Sequence, residues 1–460
     1  MKISLQNSLL ISLCLFAVAS FISIAAANMF LGLSVLIFLI ITYKNKCVHI
    51  ATDKLPYFKA VGAFAGALIV SALFSGDIAY GLKTWADFFL WRFMPFVILL
   101  TVLDSETLSK KVLAAVTCGF AIDCMCACYQ ELFVYGFDLN FKRAAGFVGH
   151  PMTLAGWACI LLPLLLIYIF RKNIAPRFRW LAVVFFVIGG SALLFNATRG
   201  AWLALAIVLP LVSLPFVFEN KKLLLICTSI VLVLGIVLFN NASFMKRVHS
   251  IADTKNVSNH SRFIIWDTSV AMFKEQPVLG VGLGNYKDIY QKNMRPRLEE
   301  ARGLLKNVAT FKKLSKKEQI VILYNPEKFW ELKIYKKLKN KEWQAFYKEY
   351  SKFKFNYDLS TLTHAHNNLL QMLAENGLVG FLGYIFTFGY ILWCNLKNFL
   401  LNKNPYALMI VGSTSALFLQ GLTEYNFGNG AVMKLYWLVL GCLVILASHY
   451  NKEESSKDAE

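Results

Sequence analysis

Thr363-His364-Ala365-His366-Asn367-Asn368-Leu369-Leu370-Gln371, followed by Glu375-Asn376-Gly377-Leu378-Val379-Gly380, is where a long polar insert returns to an otherwise apolar chain. The insert, residues 241–376, begins after Phe239-Asn240 and is the single long interruption in the sequence. Hydrophobic residues make up 57% of the 460 and charged residues only 16%, against about 25% charged in soluble domains. The apolar residues fall in runs near the roughly 20 residues that a helix needs to cross a bilayer. The composition therefore predicts an all-α polytopic membrane protein with a large, mostly helical external insert.

Working outward, the runs predict about twelve spans, at 8–26, 28–43, 56–75, 83–103, 109–134, 150–170, 179–197, 200–218, 222–240, 378–397, 405–424 and 430–449. Lys2, the run 8–24 and Ala25-Ala26-Ala27 imitate a signal peptide, but a second apolar run follows at once and predicts two spans instead. The seventh and eighth spans are split only by Asn196-Ala197-Thr198-Arg199-Gly200, a polar hinge that reverses the chain. The resulting organisation is 1–240 with nine spans, 241–376 as the loop domain, 377–450 with three spans, and a tail at 451–460.

Loop charge orients this arrangement. With the N-terminus inside, sixteen Lys/Arg fall in inside loops and tails and four in the short outside loops: Lys83, Lys142, Arg143 and Arg199. Both termini are expected to be cytoplasmic and the insert, after nine spans, external. Residues 241–363 hold 24 Lys/Arg against 12 Asp/Glu, much of the net charge of +20. A basic insert beside a bilayer suits anionic lipid headgroups or phosphorylated glycolipids rather than nucleic acid. None of the ten cysteines lies in the insert, and the cluster Cys124, Cys126 and Cys128 sits within an expected span, where small apolar filler is the plainer reading.

Several residues invite a chemical reading. Arg199, at the external hinge, is either an anion clamp, since a guanidinium holds phosphate oxygens bidentately, or an interfacial cation that snorkels. Arg262, in Ser261-Arg262-Phe263-Ile264-Ile265-Trp266, opens a helix and shares a face with Trp266. His364 and His366 are two apart, which on a helix places them on different faces, a poor arrangement for paired metal ligation. One of them at an aqueous boundary can act as a general base; the plainer reading is a polar contact at a helix start. Gly280-Val281-Gly282-Leu283-Gly284 follows a proline, not a buried strand, which argues against a dinucleotide loop.

Taken together, five segments resemble the O-antigen ligase/polymerase superfamily of bacterial envelope glycosyltransferases. They are Gly146-Phe147-Val148-Gly149-His150-Pro151, Thr198-Arg199-Gly200-Ala201-Trp202, Ser261-Arg262 with Trp266, Pro277-Val278-Leu279-Gly280-Val281-Gly282, and His364-Ala365-His366-Asn367 with Leu370-Gln371 and Gly377-Leu378-Val379-Gly380. They occur in the family's order across roughly 140–380. The resemblance implies an inner-membrane enzyme that takes a glycan from undecaprenyl diphosphate and passes it to an acceptor on the periplasmic face, with no metal and no cofactor. It implies Arg199 and Arg262 as diphosphate-binding residues and His366 as the general base. His364, Asn367, Glu424 and Arg143 are secondary candidates.

The acceptor expected from the large insert is lipid A–core, which makes the chain an O-antigen ligase. An O-antigen polymerase or a protein O-oligosaccharyltransferase would use the same donor, and the oligomeric state is left open. A transporter or flippase would show ionisable residues at mid-membrane positions and internal symmetry. Apart from Arg92 and Asp123 the span centres are uncharged, and no repeat is evident.

Overall fold

The computed structural model describes residues 4–46, 50–136, 142–171, 174–217, 240, 242–254, 256–332 and 340–457. The first membrane half comprises α1 (Leu5–Ile22), α2 (Ile24–Asn45), α3 (Leu55–Leu73), α4 (Ile78–Val102), α5 (Glu106–Val134), α6 (Pro151–Phe170), α7 (Pro176–Asn196) and α8 (Arg199–Val217). The insert contributes α9 (Ala242–Ala252), α10 (Val257–Glu275), α11 (Tyr286–Asn307), α12 (Lys316–Tyr324) and α13 (Lys341–Ser360). The chain returns through α14 (Asn368–Asn402), α15 (Pro405–Gln420) and α16 (Gly430–Lys457).

Ten of these helices are long and apolar enough to cross a membrane. The protein is an all-α polytopic membrane protein, as its composition predicts. The span expected at 222–240 lies outside the described residues. The one expected at 405–424 is shorter: α15 ends at Gln420, where Asn426 folds back and donates through Nδ2 to Leu417 O at 2.7 Å. Leu417 O also accepts from Gly421 N at 3.0 Å, so the side chain adds a second bond at the helix end and ties the following loop back to it.

Helices α6 and α16 are buried along most of their length and form the centre of the bundle. Trp157 of α6 packs edge-on against Phe21 of α1, with ring centroids 4.7 Å apart. The hinge between α7 and α8 forms as expected. Ala197 takes a left-handed conformation (φ +54°), ends α7, and lets α8 start at Arg199. The insert carries its own core, in which Leu305, Phe311, Phe329, Phe346, Tyr350 and Phe353 pack together apart from the membrane core.

The insert is locked to the bundle at one break. Helix α14 is interrupted at Gly377, whose φ of +59° and ψ of −160° are not helical. The backbone groups freed there are taken up by the loop after α10. Val281 N donates to Ala374 O at 3.0 Å and Gly282 N to Glu375 O at 2.9 Å. In return Leu378 N donates to Pro277 O at 2.9 Å and Val379 N to Val278 O at 3.2 Å. Two backbones meet so closely that a Cβ on Gly377 would lie 2.3 Å from Val278 O, and one on Gly280 2.5 Å from Asn376 N. The glycine-rich stretch is thus a docking strap, consistent with the rejection of a dinucleotide loop.

Candidate active site

The site is assembled from the loop before α6, the α7–α8 hinge, α9, α10, the irregular stretch before α14 and the loop after α15. The seven residues singled out in the sequence come together, with one addition.

The histidines are held from both sides. Trp266 Nε1 donates to Ala365 O at 3.1 Å, and Ala365 N donates to Gln371 Oε1 at 2.8 Å. Asn367 caps α14, its Oδ1 accepting from Leu369 N at 2.9 Å and Leu370 N at 3.1 Å, while its Nδ2 donates to Leu422 O at 2.9 Å. Asn367 is therefore a positioning residue that ties the histidine stretch to the 421–424 loop. His366 takes φ +48°, an uncommon conformation for a side-chain-bearing residue.

Helical spacing does not govern the two histidines, which corrects the sequence expectation that they point apart. Because Asn367 is the cap, both precede the helix. Their ring centroids are 4.2 Å apart, and both face Glu424. His366 Nδ1 lies 3.2 and 3.3 Å from the two carboxylate oxygens, and His364 Nε2 lies 3.6 Å from one of them. Glu424 is 7% exposed. Burial pushes its carboxyl up, but the hydrogen bonds and charges of His364 and His366 outweigh this and hold it well below the usual range. An ionised carboxylate only accepts. His366 Nδ1 must then carry the proton, which leaves Nε2 as the basic atom.

Four arginines form a mutually interacting group, of which Arg143 and Arg262 lie within electrostatic reach of Glu424. Arg199, 8% exposed, donates through Nη1 to Ser250 Oγ at 3.1 Å and through Nη2 to Ser258 Oγ at 3.2 Å. Arg143 donates to Asn196 O at 3.0 Å and to Thr198 Oγ1. Arg247 donates through Nη2 to Ala197 O at 2.8 Å, the carbonyl turned outward by the left-handed hinge. Arg262 makes no hydrogen bond to any described residue, and Glu424 attracts it. Burial and then the charge of Arg247 press Arg143 down to about 10, with Glu424 opposing and Arg262 and Arg199 adding to the fall. Burial and the Arg262 charge likewise lower Arg247. A guanidinium stays charged at neutral pH, so the depression registers chiefly burial and, for Arg143, Arg199 and Arg247, mutual repulsion as well, both of which a bound anion would offset.

Arg199, Arg262 and Thr423 line a pocket of about 220 Å³ whose apolar wall includes Leu203, Phe263 and Trp266. His366 is not in its lining; the pocket reaches Thr423, the chain neighbour of Glu424. Arg247 was not distinguished in the sequence, since it is one cation among many in a basic insert. Its only local sign is its place on α9, just beyond the last apolar run.

His364, His366 and Glu424 offer donor atoms within 4.8 Å of one another, a set that could hold a metal ion. Three nitrogen and oxygen donors are a zinc-type set. The four guanidiniums of the arginine group, against one carboxylate, oppose a divalent cation and favour an anion.

Residues 182–307 match the family model described as O-antigen ligase. The match runs from within α7 to the end of α11 and includes Arg199, Arg247 and Arg262. Arg143, the histidines and Glu424 lie outside it. No curated protein matches the chain. The match supports the O-antigen ligase-like superfamily and a glycosyltransferase-like, O-antigen-processing role in the broad sense that covers ligase and polymerase. It also implies a lipid-linked glycan substrate.

Proposed function

We propose that this protein is an O-antigen ligase. It transfers a polysaccharide from undecaprenyl diphosphate to lipid A–core at the periplasmic face of the inner membrane. The observation that supports this best is the His366–Glu424 dyad beside an arginine cluster that this single carboxylate only partly compensates, opening on a small pocket with an apolar wall.

In this reading His366 Nε2 takes the proton from the acceptor hydroxyl. The freed oxygen attacks the anomeric carbon from the face opposite the diphosphate, and the configuration inverts. The bond from that carbon to the diphosphate oxygen breaks, and the lipid diphosphate leaves with one more negative charge. Arg199 and Arg262, aided by Arg143 and Arg247, neutralise that charge where it develops. Glu424 stabilises the imidazolium that His366 becomes. A base so placed contributes typically 10²–10⁴-fold. The donor arrives already activated, so no nucleotide is required.

The test is a deletion strain complemented with wild type or His366→Ala. The ligase reading expects lipid A without polymer, lipid-linked polymer accumulating, rescue by wild type, and none by His366→Ala at equal protein level. Single repeat units on lipid A would instead make the protein a polymerase. Intact lipopolysaccharide with unglycosylated target proteins would make it a protein oligosaccharyltransferase.

A further inference from the structure

A second cavity, of about 670 Å³, lies at the opposite end of the bundle. It is lined by the starts of α5, α7 and α15 and the end of α6. The arginine cluster sits at the far ends of α7 and α15. The 21 residues of α7 span about 31 Å at 1.5 Å per residue, roughly one hydrocarbon thickness. This cavity is therefore separate from the candidate active site.

Its chemistry is two-sided. One end carries Lys110, Lys111 and Arg171. The wall running into the bundle is apolar, with Leu165, Phe178, Leu181, Phe185 and Met409 among its residues. Among the charges, Lys110 pairs with Glu106. Lys111 has no hydrogen bond or ion pair with any described residue. Arg171 donates to the Tyr406 hydroxyl and lies 4.5 Å from the centre of the Tyr406 ring, both neutral partners. Arg179 donates to Arg171 O at 3.0 Å and brings another cation to the same rim. His449 lies close enough to act on Glu106, again from the basic side. Among the described residues the end of the cavity thus sets three cations, Lys110, Lys111 and Arg171, against one carboxylate, Glu106, which pairs with Lys110 and also feels Arg171, and this excess of positive charge adjoins an apolar wall at the membrane boundary.

We propose that this cavity is a binding site for one anionic phospholipid, with its phosphate against Lys111 and Arg171 and an acyl chain along α7. An isolated soluble anion would leave the apolar wall uncovered. A zwitterionic lipid would bring its own cation to a rim that already has too many. Basic pockets between membrane helices recognise anionic headgroups in this way. The proposal depends on the membrane architecture and not on the transferase reading.

The full-length protein, purified in detergent, is mixed with equal amounts of phosphatidylglycerol and phosphatidylcholine and examined by native mass spectrometry. One phosphatidylglycerol is expected to be retained in preference to phosphatidylcholine. Lys111→Ala, an exposed and unpaired position, should weaken that retention on the order of fivefold. Ala114→Trp, which fills the cavity from α5, should abolish it. Lys403→Ala, outside the cavity lining, should leave it unchanged. Equal retention of the two lipids overturns the proposal, as does phosphatidylglycerol binding that Lys111→Ala leaves intact or that Lys403→Ala weakens as much.

Discussion

Replacing Glu424 by Gln keeps the shape of the side chain and removes its charge. The carboxylate meets His366 Nδ1 at 3.2 Å with side-chain exposures of 9% and 24%, so solvent screens the pair little. A hydrogen bond to a charged group contributes about 1.5–3 kcal/mol, roughly twice a neutral one. In the proposed mechanism the charge matters most when His366 holds the transferred proton, so the loss falls on the transition state. A loss of about 2 kcal/mol corresponds to roughly thirtyfold in kcat. The assay is transfer by purified protein in proteoliposomes, from a lipid-linked glycan to lipid A–core. The expected result is a kcat lowered roughly thirtyfold, a donor KM close to wild type, and an acid limb of the rate profile moved to lower pH. A variant with wild-type kcat and an unmoved profile refutes the dyad. A lower kcat with a proportionate rise in donor KM and an unmoved profile would make Glu424 part of the binding site instead. The same substitution tests stability. The Glu424 carboxyl is held below its ordinary value near 4.5, so its stabilisation is full above that pH and is lost as pH falls below it. The Tm gap between wild type and Glu424→Gln should narrow as the pH falls below about 4.5 and the carboxylate takes up its proton.

Arg199→Lys should lose most transfer, because one ammonium cannot reach Ser250 and Ser258 together while facing a diphosphate; full activity would show that fork geometry is unimportant there. Arg247→Ala should raise the donor KM about tenfold with a smaller effect on kcat, and an unchanged donor KM would remove Arg247 from the anion site. Exhaustive EDTA treatment should leave transfer intact, whereas loss restored by Zn²⁺ would turn His364, His366 and Glu424 into metal ligands. Gly377→Ala should lower Tm and expression, since its Cβ meets a carbonyl oxygen at 2.3 Å; a variant as stable as wild type would show that the strap can yield.

Span positions were legible because hydropathy and length are local quantities. The end of α15 was not, because it involves a bond from Asn426, outside the helix. Arg199, Arg262 and His366 were picked out through resemblance, and the plain reading of their residue types left each ambiguous. Glu424 is a secondary candidate in the sequence, and its place beside the histidines is set by Asn367, which bonds α14 and Leu422 at once. That Asn before an apolar run was a readable cap signal. An N-cap at Asn367 places both histidines ahead of the helix, where helical faces do not apply. Arg247 had no such signal, since its partner is a carbonyl exposed by the backbone twist at Ala197.

The strap between residues 277–282 and the break in α14 has a mechanical consequence. Four main-chain hydrogen bonds join the segment that follows α10 to the segment that follows His366, so neither can swing without the other. Arg262 and His366 then ride on one stiff unit, and their spacing survives any movement of α11–α13. Entry and exit of bulky substrates must be accommodated by the pieces outside that unit, with the guanidinium and the imidazole keeping step throughout the cycle.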